Sequence, residues 1–591
     1  MYGFYGRILT VDLSNRSFSI DPVSDELLGS VLGGKGLGTS LLVERNPAGA
    51  DPLGPENRLI FATGPFCAGP IWGGSRYGVF TKSPLTGFYA ESYSGGKVPE
   101  AIDRAGFDAV VIEGASDKPV ALAIHPDGCV FHDASSMWGM ETYDAERAAR
   151  ATLGQDKPGW GQVGAVVIGP AGEGLVRYAL IANDFWRCAG RAGVGAVMGS
   201  KKLKAMVFQG DRKRTLADPK GARAYAAAFA KAGVENKGVQ AYKAYGTTMM
   251  VALMNTAGAF PAKYWSQGSC DHWQKISGET FHKEHDVTAH ACLKCFMACG
   301  RMAKLSKGRH QGLTLEGPEY ETIYAFGGLC MIEEMDEIVW LNDLCDRLGL
   351  DTITAGNLCA LAIEACRRGK LDLGLDYGDF EGVGRLIQDI AARKGHGAVM
   401  AEGIIPTAEA WGLSDLAIHV KGMEPPGYDP RVLKGMGLAY GTSPRGACHL
   451  RTTFYKPELA GFIPADAIEG KAEMLTDYED RLTIFDTLIL CRFYRDMYTW
   501  EELEKAIGLA TGLSATKEEL RRKASRVSDL TREFNLREGL TMNDDRLPAR
   551  FHKEPLPSGK ALRADEMETL LGDYYRLRGW DKEGRLNKPG S

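Results

Sequence analysis

The stretch CLKCFMAC, Cys292 to Cys299, constrains this chain more than any other. It sets three thiols in eight residues at C-x2-C-x3-C spacing. A cubane iron–sulfur cluster takes four thiolates, one per iron, so a tight trio leaves one ligand to come from elsewhere. Structural zinc also uses C-x2-C, commonly with a second close pair, and none follows here. The spacing favours a cluster over zinc. The fourth ligand is expected among the ten scattered cysteines: Cys67, Cys129, Cys188, Cys270, Cys330, Cys345, Cys359, Cys366, Cys448 and Cys491.

A chain of 591 residues should hold several domains, because single cores stop growing near about 250–300 residues. A net charge of −5 supplies no basic field for nucleic acid. Thirteen cysteines without a regular framework argue against a secreted disulfide scaffold and for a reducing cytoplasm. MYGFYGRILTVDL carries no long apolar leader segment, and no run of about 18 apolar residues predicts a membrane span.

Residues 1 to about 212 read as strands and turns. Strands are predicted at Arg7–Leu13, Ser17–Ile20, Leu59–Thr63, Ala109–Glu113, Val120–Ile124 and Ala165–Ile168. Glycine-rich connections are predicted at GGKGLG (33–38), WGGSRYG (72–78), SGG (94–96) and GRAGVGAVMGS (190–200). The last holds a G-x-G-x-x-x-G pattern, but no apolar strand leads into it, so it is a poor dinucleotide loop. From about 215 the texture becomes helical. Asp218 fits an N-cap and Pro219 the first helical position. Helices are predicted at Met335–Leu348, Thr354–Arg368, Val383–Arg393, Asp477–Leu490, Trp500–Leu509 and Lys517–Phe534, interrupted by loops at 423–431 and 440–451. The expected class is α+β: a β-rich domain over 1–212, then two mainly helical domains over 213–423 and 424–591.

Three further stretches carry chemistry. EGPEYET puts three carboxylates, including Glu321, just before apolar YAFGGLCM. A carboxyl beside apolar surface can have a raised pKa and serve in proton transfer. PRGACHLR puts His449 in a turn beside Cys448 and between arginines, a setting suited to an acid–base or positioning role. CDRLGLD ends a helix at Gly349 and presents Asp346 and Asp351 with backbone amides to a polar ligand; FDTLILC, from Phe485 to Cys491, repeats that outline. Two such turns suit two halves of one ligand or two similar ligands.

In this order the elements resemble the tungsten-dependent aldehyde:ferredoxin oxidoreductase family, from MYGFYGRILTVDLS through GGSRYGVFTKSPLTGF, GRAGVGAVMGSKKLKA, CLKCFMACG, EGPEYE and CDRLGLDT to RGACH and YYRLRGW. The resemblance covers essentially the whole chain. It implies tungsten held by two pyranopterins between a β-rich domain and two helical ones, with one [4Fe–4S] cluster alongside and Mg2+ bridging the pterin phosphates. By that resemblance Cys292, Cys295, Cys299 and Cys491 match the cluster ligands, and Arg76 matches the arginine linking a pterin to the cluster region. Ser94, Gly95, Arg187, Cys188, Ala189, Gly190 and Arg191 match first-domain contacts to the pterin phosphates. Asp346, Leu350 and Asp351 match one pterin-binding turn, and Asp486, Leu490 and Cys491 the other. Arg445, Gly446 and Arg451 match the pterin side of the histidine loop, and Glu321 and His449 the proton-handling pair.

The chain departs from the family at three places, one of them Tyr93, which stands where the best-known member has an asparagine that contacts a pterin. Ile489 stands where the second turn usually has glycine, and Trp340 to Asp343 cannot form the E-x-x-H site that binds an iron between subunits in some members. The resemblance implies oxidation of a small aldehyde to a carboxylic acid in the cytoplasm. Electrons would leave to ferredoxin or electron-transfer subunits, in an oligomer or hetero-complex. The alternative is a low-potential reductase or electron-relay subunit of the same superfamily acting on, for example, an aromatic thioester.

Overall fold

The computed structural model describes residues 1–155 and 157–587. Twelve strands in the first 208 residues form two six-stranded sheets. The first contains β1 (Arg7–Asp12), β2 (Ser17–Pro22), β3 (Leu59–Ala62), β4 (Tyr77–Lys82), β5 (Tyr89–Ser94) and β6 (Ala109–Glu113), in the order β2-β1-β6-β3-β4-β5. The second contains β7 (Val120–His125), β8 (Gly128–Asp133), β9 (Gly164–Val167), β10 (Ile181–Asn183), β11 (Arg187–Ala189) and β12 (Leu203–Phe208), in the order β11-β10-β9-β12-β7-β8. Pairing is antiparallel except for β1 with β6 and β7 with β12. Leu9, Phe61, Val110 and Ile112 of one sheet share a buried cluster with Leu122, Val166 and Met206 of the other. Removing such apolar faces from water is the main favourable term for a sheet sandwich.

The six predicted strands lie within a residue or two of their expected places, and the α+β class is borne out. Six of the twelve strands, β4, β5, β8, β10, β11 and β12, were not expected. β4 is buried along its whole length, so it lacks the alternation that betrays a half-buried strand. β5 is nearly so, with only Tyr93 half-exposed. GGKGLG is not a connection: Gly34–Arg45 is a helix. Its glycines serve close packing, since a Cβ at Gly38 would overlap the Phe80 ring and one at Gly36 would overlap the Val31 carbonyl. The 190–200 stretch likewise contains the helix Val194–Ser200.

Beyond 212 the chain is mainly helical. Met335–Leu348 is helical as predicted, with Asp336 and Glu337 in its first turn and Gly349 closing it in the left-handed region. Lys517–Arg537 opens on a capping box of Thr516 and Glu519. Buried residues on both sides of position 423, such as Ile338, Leu358, Leu438 and Leu570, belong to one apolar cluster. A third, three-stranded sheet of β13 (Asp286–His290), β14 (Gly300–Lys304) and β15 (Thr314–Glu316) carries the cysteine trio in the hairpin loop between its first two strands. Among the described residues no helix is long and apolar enough to cross a membrane.

Candidate functional site

The edge strands β5 and β11 of the two large sheets come together beside a cavity of about 350 Å³ that residues of the helical part also line. Asn183 of β10 ties the edges together. Its Oδ1 accepts from Tyr77 at 2.9 Å and Ser94 at 2.7 Å, and its Nδ2 donates to the Gly95 carbonyl at 3.0 Å. The cavity wall brings together Arg76, Ser94, Gly95, Arg187, Cys188, Gly190, Cys292, Cys299, Glu321, Asp346, Leu350, Asp351, His449 and Cys491, from eight separate stretches of sequence. The other expected residues pack around this wall: Ala189 on β11, Arg191, Arg445, Gly446, Arg451, Asp486, Leu490 and Cys295.

The thiols converge from two directions. Cys491 follows the helix Lys471–Leu488, and its N–H donates to the Gly73 carbonyl at 2.9 Å. Arg76 Nη1 reaches its Sγ at 3.9 Å. The Gly96 N–H donates to Cys292 Sγ at 3.2 Å, and a Cβ on Gly95 would stand 3.0 Å from that sulfur, so a side chain there would crowd the thiol. Burial, then the nearby Cys491, pushes the Cys295 thiol up to about 11 and the Cys299 thiol well above its ordinary range. All four are free thiols. Among the described residues no three His, Cys, Asp or Glu side chains are grouped as single-ion ligands. Four half-buried thiols without a histidine partner form a donor set that fits an iron–sulfur cluster.

The two acidic turns have the same backbone. Gly349 sits at φ 84° and Ile489 at φ 62°, both left-handed. In each, the following leucine N–H reaches back five residues, Leu350 to Cys345 at 2.9 Å and Leu490 to Phe485 at 2.8 Å. Isoleucine therefore holds a position that favours glycine, and its side chain is buried. Behind the turns runs a buried charge network. Arg191 Nε pairs with Asp351 at 3.0 Å, and Arg451 Nη1 lies 2.7 Å from both Asp486 and Glu91. Lys35 meets Glu91 at 3.0 Å. Burial opposes ionisation of Glu91, but Arg451 and then Lys35 prevail and hold it below the usual carboxylate range. Arg445 donates to the Glu91 carbonyl at 2.6 Å and to Cys448 Sγ at 2.9 Å. Burial works against that thiolate too, yet Arg445 and Arg451 bring Cys448 down to about 7. The buried Nε atoms of Arg445 and Arg451 and the hydroxyls of Thr452 and Thr453 find no protein partner. Such uncompensated donors fit a ligand rich in oxygen and ring nitrogen. Glu91, Lys35 and Arg492 were missed by the sequence reading; only the position of Arg492, next to Cys491, gave any signal.

Glu321 and His449 face each other inside the cavity, with Oε1 and Nε2 3.5 Å apart. Glu321 sits on the short helical turn Tyr320–Thr322, which runs on as a π-helix over Ile323–Leu329. The loop 423–431 locks onto this segment. Tyr320 donates to the Gly427 carbonyl, Tyr324 donates to the Pro425 carbonyl at 2.7 Å, and the Gly427 N–H donates to Glu321 Oε2 at 2.9 Å. A Cβ on Gly427 would lie 2.6 Å from the Tyr324 ring, so only glycine lets the loop approach this closely. Burial pushes the Glu321 carboxyl up to about 8. Burial, reinforced by Arg445, Arg191, Arg451 and Arg495, pushes His449 well below the ordinary imidazole value. At neutral pH the pair is thus a carboxylic acid beside a neutral imidazole, and a salt bridge is not the right description of it.

One cavity thus joins the thiols of Cys292, Cys299 and Cys491, the first acidic turn and an acid–base pair. The chain is a member of the aldehyde ferredoxin oxidoreductase family: residues 8–210 match its N-terminal domain and residues 224–589 its domains 2 and 3. It is 36% identical to the tungsten-containing aldehyde ferredoxin oxidoreductase of Pyrococcus furiosus over 100% of this chain and 98% of that one. The enzyme of the same name from Thermococcus kodakarensis is 37% identical over 99% and 98% of the two chains. A P. furiosus protein named aliphatic sulfonate oxidoreductase, WOR-like subunit, is 29% identical over 99% and 96%. Among solved structures, the BamBC active-site complex of benzoyl coenzyme A reductase shares the fold, with a TM-score of 0.86 at 22% identity over 99% and 96% of the chains.

Proposed function

We propose that this chain oxidises an aldehyde to a carboxylic acid in the cytoplasm, in a reaction that also runs in reverse. Cys292, Cys295, Cys299 and Cys491 would hold a [4Fe–4S] cluster. Asp346, Leu350, Asp351, Asp486 and Leu490, with Arg76, Arg445, Gly446 and Arg451, would hold two pyranopterins. Ser94, Gly95 and the run Arg187–Arg191 would take their phosphates and the bridging Mg2+. The tungsten–pterin group would supply the two-electron redox change. Electrons would leave through the cluster to ferredoxin or to a partner subunit, in an oligomer or hetero-complex. One observation carries this reading: an acid–base pair faces into the same cavity as the thiols.

Within that site the neutral imidazole of His449 donates a hydrogen bond to the carbonyl oxygen as negative charge develops on it. The ionised form of Glu321, about one-tenth of the total at pH 7, takes the proton of the attacking water. Its raised pKa makes it a stronger base than an ordinary carboxylate, near the pH where a base works best. Burial, reinforced by the charges of Arg445, Arg191 and Arg451, keeps the imidazole neutral. Burial of both side chains strengthens each of these contacts. Metal analysis of the purified chain, with an aldehyde panel and an artificial dye acceptor, tests the proposal. Tungsten, iron and aldehyde turnover together support it, whereas a tungsten-loaded chain inert to every aldehyde overturns it in favour of a relay role.

A further inference from the structure

Arg495 is fully buried and lines the cavity, yet it lacks a counter-charge. Other buried arginines nearby are paired: Arg191 with Asp351, Arg431 with Asp429, Arg451 and Arg492 with Asp486. Arg445 has the Cys448 thiol. The protein contacts of the Arg495 guanidinium are the Arg492 carbonyl at 3.0 Å and the Tyr242 hydroxyl at 3.4 Å, and its Nε has no partner. Among the described residues no carboxylate lies within ion-pair distance of it. Burying a guanidinium is strongly unfavourable unless an anion meets it. An uncompensated one inside a cavity marks the place of an anion that the chain itself does not provide.

The surroundings narrow the ligand. Tyr242 packs against Phe493 with ring centroids 4.4 Å apart, and Tyr455 stacks on Tyr428 at 4.3 Å, which in turn stands 5.4 Å from the His449 ring. An aromatic wall thus runs from the acid–base pair towards the guanidinium. Phenol and phenyl faces suit a small organic molecule, and the planar fork of arginine suits a carboxylate held by two parallel hydrogen bonds. We propose that Arg495 is an anion subsite of the reaction cavity that binds a carboxylate of the organic substrate or product. This rests on the aldehyde-oxidation reading above and adds to it a preference for acids. The carboxylate is either the one the reaction makes or a second one that the aldehyde already carries.

The test uses metal-loaded wild type, Arg495→Gln and Arg495→Lys. Tungsten and iron per chain are measured first. Acetate and glutarate binding are then followed by the rise in thermal midpoint, which needs no turnover, and kcat/KM is compared for succinic semialdehyde and butanal. The Gln variant should bind carboxylate about ten- to a hundredfold more weakly, and Lys should recover part of the loss. Weaker acetate binding with an unchanged semialdehyde-to-butanal ratio assigns the subsite to the carboxylate formed in the reaction. A ratio that falls about tenfold assigns it to a second carboxylate. Metal-complete Arg495→Gln that matches wild type in both assays overturns the proposal. So does a wild type that binds neither acid, or tungsten lost from both variants, which would make the missing anion part of the cofactor. If no aldehyde is turned over at all, the binding arm still decides the question.

Discussion

Replacing Glu321 with Gln keeps the shape of the side chain, including an oxygen for the Gly427 N–H, and removes the titration. Burial sets the wild-type carboxyl at about 8, so about one-tenth is ionised at pH 7 and about nine-tenths at pH 9. If the carboxylate is the base, kcat/KM climbs about tenfold per pH unit below 8 and levels off above 9. Glu321→Gln should lose this limb and run about 10²–10⁴-fold below the wild-type plateau, with a smaller gap at pH 6. Stability should move in the matching direction. A carboxyl whose folded pKa lies above its unfolded value near 4.5 adds stability below pH 4.5 that is lost as pH rises through 8. Wild type should therefore lose stability relative to the Gln variant across that window. Stopped-flow dye reduction from pH 6 to 10 and urea titration of the loaded protein read the two effects. A Gln variant with full metal content that keeps the alkaline rise would show that another group is the base.

Three further outcomes follow from the geometry. His449→Asn should lower turnover about a hundredfold with tungsten retained, while leaving the profile above pH 6 unaltered, because burial and Arg445 already keep the imidazole neutral there. Cys491→Ala should reduce iron per chain and the thermal midpoint; full iron with an unchanged spectrum would remove Cys491 from the ligand set. Ile489→Gly relieves about 1–2 kcal/mol of left-handed strain but gives up a buried side chain whose truncation costs about 2–5 kcal/mol, so the variant should be less stable by a few kcal/mol. Equilibrium unfolding that finds it more stable would mean the pocket around Ile489 is poorly filled.

Local rules made much of this chain readable. Asp218 does cap the helix Pro219–Glu235, Gly349 does end its helix left-handed, and the six strands predicted before residue 170 lie within a residue or two of their expected places. The reading failed where tertiary packing sets the residue type. GGKGLG looks like a turn because its glycines are counted as flexible, whereas they let a helix press against Phe80 and Val31. The site was legible only in pieces. CLKCFMAC and EGPEYET announce their chemistry, but nothing local tells Glu91, in the middle of an ordinary strand, that Lys35 and Arg451 will surround it. Arg495 was invisible for the same reason: its significance is a missing partner, which exists only once the chain is folded.

The π-helix behind Glu321 gives chain length a role of its own. Wider winding accommodates one more residue than an α-helical path between the same end points. Deleting a single residue between 323 and 329 would let the segment relax to α-helix and turn whatever precedes it by about 100°. Glu321 would then swing off the Gly427 amide and out of line with His449, although every side chain lining the cavity remained chemically intact. The aim of the carboxylate is thus written as an insertion, and substitutions one at a time would leave it unread.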